Sequence, residues 1–377
     1  MTMTNSQITI RKGSILVYRV FDVGEEINLA MAEKLLLSLA EPARLRLVTD
    51  LRKAIIIKEA PIIAELAGEK LELGGKPMDA SVTAKIWDYG VMSITLKFSI
   101  PEGCQWQELV ALSTVMENSP QLDKLALDRK NLLAAQLASA TKNPGGWPIA
   151  EDYITYCIEK FEGAESPAEL LHKADIAALI LAESRDELSS QTKNHIIEHA
   201  LQYSKSDLAV VDWNSALLVD NEMPKDVADT IEFCLTHLLV MRHYDNMLDA
   251  KLSTLYDSMD ARNQQGFFRR MLSDFYSRME EDAAQKYIEF SEFITRVENS
   301  LKTVGDSYLA TIFRLAGHEF RFHEWQQSVD RKMSTLERIA QLLQGELTAM
   351  RSHWLEIIII LLIAIEMIPL IEYFKKF

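Results

Sequence analysis

WLEIIIILLIAIEMIPLIEYFKKF, residues 354–377, is the stretch on which the reading of this chain turns. It is apolar without interruption from Ile357 to Ile365, then takes up again from Met367 to Ile371 after Glu366. About 20 helical residues rise about 30 Å, the thickness of a bilayer's hydrocarbon core. Trp354 and Tyr373 stand where an aromatic belt would put them, and Lys375 and Lys376 could reach far headgroups. The expectation is a single transmembrane helix over 354–374. Glu356 opens it, and Glu366 sits where an ionised carboxylate is costly unless it meets a partner. Pro369 removes one backbone bond near the end, which membrane helices tolerate.

Working back from that stretch, heptad-like spacing precedes it. Phe322, Trp325, Val329, Met333, Leu336, Ile339, Leu343, Leu347, Met350 and Trp354 recur at 3–4 residue intervals. An earlier series runs through Ile294, Val297, Leu301, Val304, Tyr308, Ile312 and Leu315. Such spacing argues for paired helices, within one chain or between copies. Helix is expected throughout from Pro224, with Val227, Ile231, Cys234, Leu238 and Met241 on one apolar face.

The first ~115 residues read differently. Ser14 to Phe21 is rich in β-branched and aromatic residues and apolar on both faces, an interior strand. Leu29, Ala32, Leu35, Leu36 and Leu39 predict a helix, and Ala54-Ile55-Ile56-Ile57 a short buried strand. Met92, Ile94, Leu96, Phe98 and Ile100 alternate with polar residues, giving a hairpin over 81–100 turned at Asp88-Tyr89-Gly90. Helical periodicity is expected from Trp106, broken by loops at 143–148 and 166–167. One β island remains, Leu208 to Val211 and Ala216 to Val219, turned at Asp212–Ser215.

The fold class is therefore α+β. The expected organisation is an α+β domain over 1–118 and a helical domain with a short β island over 119–223. A helical, coiled-coil-like region over 224–353 then leads into the transmembrane helix.

A net charge of −15 opposes binding to nucleic-acid phosphates, and no basic patch exceeds pairs such as Arg269-Arg270. Cys104, Cys157 and Cys234 form no C-x-x-C pair, so neither a disulfide framework nor a cysteine zinc site is expected. The first twelve residues are polar, with no signal-peptide run, so the body is expected on the cytoplasmic side of the membrane, a bacterial inner membrane in a bacterium.

Motifs for chemistry are sparse. His195-Ile196-Ile197-Glu198-His199 matches H-x-x-E-H, and on a helix His195 and His199 share a face, as zinc requires. The plainer reading, two solvent-facing histidines on a surface helix, is preferred. Neither the His318/His323 nor the His237/His243 spacing puts two imidazoles on one face. Asp212-Trp213-Asn214 reads as a turn whose Asp and Asn bond their own backbone. No phosphate-binding glycine loop or nucleophile elbow occurs. No cofactor is expected.

Several stretches resemble the required-for-meiotic-nuclear-division/YagE family. They are Val17-Tyr18-Arg19-Val20-Phe21, Trp87-Asp88-Tyr89-Gly90-Val91, Asp207 to Leu217, Arg242-His243-Tyr244-Asp245, and Trp354-Leu355-Glu356-Ile357 running on to Glu366. The resemblance implies a C-terminal membrane helix after a coiled-coil-like helix, and carries no catalytic residues. The functional expectation is a non-enzymatic, membrane-anchored scaffold. Its partners would be membrane lipid and further copies of itself through the C-terminal helices. The alternative is a metal-dependent hydrolase using His195, Glu198 and His199.

Overall fold

A computed structural model describes residues 8–36, 43–44, 60–263, scattered positions from 285 to 295, and 307–374. The expected strand at Ala54–Ile57 and the lysines Lys375 and Lys376 lie outside the described residues, as do the side chains of Glu366 and Tyr373. The chain divides into two compact units. The first comprises Met1–Met241 with Arg296–His323, the second Arg242–Thr295 with Glu324–Phe377.

The first unit is built on one sheet. At its centre runs β1 (Thr9–Asp22), whose Ile15, Val17 and Val20 are wholly buried. The remaining strands are β2 (Glu26–Ile27), β3 (Ala43–Arg44), β4 (Ile62–Leu73), β5 (Lys76–Ile86), β6 (Val91–Ser99), β7 (Cys104–Gln105), β8 (Thr141–Lys142), β9 (Ala150–Glu162), β10 (Ala200–Leu201), β11 (Leu208–Val211) and β12 (Ser215–Val219). The sheet order is β10-β11-β12-β9-β1-β6-β5-β4-β3, with β7 paired to the start of β1 and β2 paired separately to β8. Neighbours are antiparallel except β12 and β9, which run parallel.

Period 2 sends alternate side chains to opposite faces. One face carries Ile15, Val17, Ala84, Ile94, Leu96, Ile154, Tyr156 and Leu217 into the main apolar core. Over it pack α1 (Leu29–Leu36), α2 (Trp106–Glu117), α3 (Pro120–Leu137), α4 (Pro167–Lys173), α5 (Ile176–Ile180) and α6 (Ser190–Glu198). The opposite face mixes buried apolar residues such as Leu16 and Val20 with polar ones. Lys85, Ser93, Thr95, Tyr18 and Thr155 are buried there, and the first half of α7 (Lys225–Asn263) meets them with Asp229 and Glu232.

The hairpin stands as expected. Trp87 N donates to Val91 O at 2.9 Å, and Gly90 takes φ 78, which its missing Cβ permits. The expected helical stretch after Trp106 needs correction. Its Tyr153-Ile154-Thr155-Tyr156-Cys157-Ile158 run is β9, paired along its length with β1. A β-branched and aromatic run buried on both faces is what an interior strand demands. The short β island extends that same sheet.

Two helices follow α7 among the described elements, α8 (Ser307–Glu319) and α9 (Phe322–Phe374). Between them Arg321 takes φ 57, a left-handed stop. In the second unit, α9 buries Val329, Met333 and Leu336, the positions the heptad pattern selects. Its Lys332 pairs with Asp245 at 2.8 Å and Asp249 at 2.6 Å on α7. Tyr287 Oη donates to Asp330 Oδ1 at 3.0 Å.

The transmembrane expectation for 354–374 is overturned, and with it the single-pass membrane location and the membrane part of the fold class. Among the described residues, no helix is long and apolar enough to cross a membrane. The unbroken apolar run between Glu356 and Glu366, Ile357 to Ile365, rises only about 14 Å at ~1.5 Å per residue, short of the ~30 Å core. Its side chains from Ile357 to Ile363 are exposed, as is Leu355 just before it.

Candidate metal centre

Three elements of the first unit bring ligand atoms to one point. Ser189 caps α6 by accepting from Thr192 N at 3.1 Å, which sets the helix that carries His195 and closes at His199. Four residues apart, the two imidazoles share a face, with ring centroids 4.8 Å apart and planes at 68°. The turn between β11 and β12 supplies Asp212. Asp212 N donates to Ser215 O at 3.0 Å, and Tyr153 Oη donates to Asp212 O at 2.9 Å. Helix α8 ends at Glu319, beside Phe320, whose ring meets Tyr153 edge-on at 5.5 Å.

One ligand atom each from His199, Asp212 and Glu319 lies within 4.8 Å of the others. Tetrahedral zinc at ~2.0–2.2 Å from N and O ligands sets those atoms ~3.4 Å apart, so a small inward shift completes the arrangement. His199 Nδ1 stands 3.3 Å from Glu319 Oε1, without the alignment of a hydrogen bond. Asp212 is 5 % exposed, and its Oδ2 is buried with no hydrogen-bond partner. Burial pushes the Asp212 carboxyl above its ordinary range. Glu319 adds to that, while the Trp213 backbone N–H, His199 and His195 oppose it. A buried carboxylate oxygen without a partner is costly, and a cation between these groups would satisfy it. The residues present therefore fit a divalent ion.

Of the residues singled out from sequence, His199 joins this centre. His195 stands exposed one helical turn away, and Glu198 is exposed. Trp354 and Glu356 belong to α9 in the second unit. His237 is fully buried among Phe233, Phe313 and Phe322. Asp212 reads in sequence as a turn residue, and Glu319 carries no local signal at all. Their meeting with His199 spans more than a hundred positions.

These features define an α+β protein with a candidate His/Asp/Glu metal centre beside a single large sheet. Residues 12–225 match the family described as "Uncharacterized protein MJ0711, N-terminal domain", and the chain belongs to that family. Uncharacterized protein MJ0711 of Methanocaldococcus jannaschii is 25% identical over 219 residues, which cover 58% of this chain and 65% of that protein. This chain thus spans just under two thirds of its relative's length. No solved structure matches.

The resemblance to the meiotic-nuclear-division/YagE family is corrected accordingly. Val17–Phe21, Trp87–Val91 and Asp207–Leu217 all fall inside the matched region. They are the interior strands and turns of the sheet, where β-branched runs recur for packing reasons alone. The stretches quoted after Pro224 lie beyond it. His199 and Asp212 are within the matched region, and Glu319 is outside.

Proposed function

We propose that this chain is a non-enzymatic metal-binding protein that holds one divalent ion of the zinc class on His199, Asp212 and Glu319. The observation behind the reading is the Asp212 carboxylate, which leaves Oδ2 buried and unpartnered and brings an oxygen within 4.8 Å of ligand atoms of His199 and Glu319. Mixed imidazole and carboxylate donors suit zinc and its first-row neighbours better than calcium or magnesium. Such an ion would tie α6, the β11–β12 turn and α8 together. The hydrolytic alternative has weaker support, because Glu198, its general base, is exposed at the end of α6 and outside the three-residue cluster. Calorimetric titration of the chelator-stripped full chain with zinc tests the proposal. One ion per chain is expected, with binding lost in Asp212→Ala. No binding to the unmodified chain would sink it.

A second property, self-association, is favoured by the exposed run on α9. Ile357 to Ile363 are each 48–65 % exposed, and consecutive residues occupy every side of a helix. Water-facing apolar area of that kind draws copies together. Light scattering on the full chain should give an oligomer that Ile359→Glu with Leu362→Glu dissociates. A monomeric full chain would end this second reading.

A further inference from the structure

We infer that His195 is the fourth ligand of the ion held by His199, Asp212 and Glu319, so that the ion is enclosed by protein and acts as a structural staple. The inference rests on the metal reading above and adds to it the closure of the coordination sphere.

Geometry supports it first. Two imidazoles on one tetrahedral zinc place their ring centroids about 5 Å apart, given ~2.0–2.1 Å from metal to nitrogen. His195 and His199 stand at 4.8 Å with their planes at 68°, already close to that arrangement. His195 is exposed, so its ring can turn about χ1 and χ2 without displacing a packed neighbour. Glu198, between them in sequence, points elsewhere on the helix and takes no part.

Charge supports it second. Asp212 and Glu319 together carry the two negative charges that neutralise a divalent ion. Two neutral imidazoles complete four ligands without adding charge. A neutral centre is what a half-buried site tolerates best.

The surroundings support it third. His318 Nδ1 donates to Glu319 Oε1 at 3.0 Å, which orients the carboxylate. Tyr153 holds the Asp212 carbonyl from the centre of the sheet. The ligands are thus braced from β9, the β11–β12 turn and α8. Four protein ligands mark structural zinc sites, whereas catalytic sites keep one position for water. Closure by His195 therefore assigns the ion to architecture.

Cobalt(II) reports its ligand set through the position and strength of its visible absorption, so the full chain would be loaded with cobalt and compared with His195→Ala. The proposal expects the absorption bands to shift in the variant, where water takes the position the imidazole nitrogen leaves. Zinc affinity should fall by at least roughly tenfold, the lower end of what even supporting residues contribute. His195 is exposed, so the variant keeps its fold, which far-ultraviolet circular dichroism checks. Unchanged spectrum and affinity in His195→Ala would overturn the fourth-ligand assignment and leave the three-residue site standing. Failure of the unmodified chain to bind either metal would remove both.

Discussion

Lys85 Nζ lies 2.5 Å from Asp229 Oδ1 and also pairs with Glu232, with all three side chains buried between the sheet and α7. Burial pulls the Lys85 amine down, but Glu232 and Asp229 outweigh it and hold it above its ordinary value. Thr95 Oγ1 adds a hydrogen bond to Glu232 Oε1 at 3.1 Å. α7 is therefore fastened to this face of the sheet in part by a buried ionic contact, beside the buried apolar side chains of Ile231 and Leu235 on the same helix. Lys85→Ala would leave two carboxylates buried and uncompensated, and should cost about 3–5 kcal/mol. Lys85→Met combined with Asp229→Asn and Glu232→Gln removes every charge at once and should recover most of that loss. Urea unfolding of the two variants measures both. Equal destabilisation would show that lost packing, not stranded charge, sets the cost.

His237 gives a pH dependence with a definite sign. Burial lowers its pKa from 6.5 to about 4, against a 2.6 Å hydrogen bond from Nδ1 to Phe233 O. Below pH 6.5 the unfolded chain takes up a proton that the folded chain refuses until about pH 4. Its contribution is thus whole above pH 6.5 and is lost as the pH falls toward 4, about 3 kcal/mol in all. His237→Leu should flatten the curve of unfolding free energy against pH across that window. A slope unchanged by the substitution would assign the acid sensitivity elsewhere.

Metal removal should be visible as heat stability. An ion present at about 100 times its dissociation constant stabilises by about 2.7 kcal/mol, which for a chain of this size is roughly 3–4 °C in Tm. Stripping with a chelator should lower Tm by that amount, zinc should restore it, and Glu319→Gln should respond to neither. Differential scanning fluorimetry reads all three.

Gly90 should accept no side chain. Its φ is 78, and a Cβ there would collide with the carbonyl oxygen of Gly24. The same turn accepts the Val23 N–H on Gly90 O at 2.9 Å. Gly90→Ala should cost at least ~2 kcal/mol through strain and displaced backbone. Gly75, with φ 76 but open space around it, should lose less in the same substitution. Equal losses would mean that strain at φ, rather than collision, is what matters.

What could be read directly from the chain was local. Ser14–Phe21, the hairpin turned at Gly90 and the Asp212–Ser215 turn announced themselves, because period-2 burial and turn chemistry are written into neighbouring residues. The face shared by His195 and His199 followed from four-residue spacing alone. Strand β9 was as legible as β1 in its residue types, yet the helical pattern around it hid it. The apolar C-terminal run displayed its hydrophobicity plainly, but hydrophobicity does not specify what covers it. Only the tertiary structure brought Asp212 and Glu319 to His199, and set Lys85 against Asp229 and Glu232. Those residues stand up to about 150 positions apart. Their proximity depends on how strands order within the sheet and on where α7 and α8 pack, and no window of sequence holds that information.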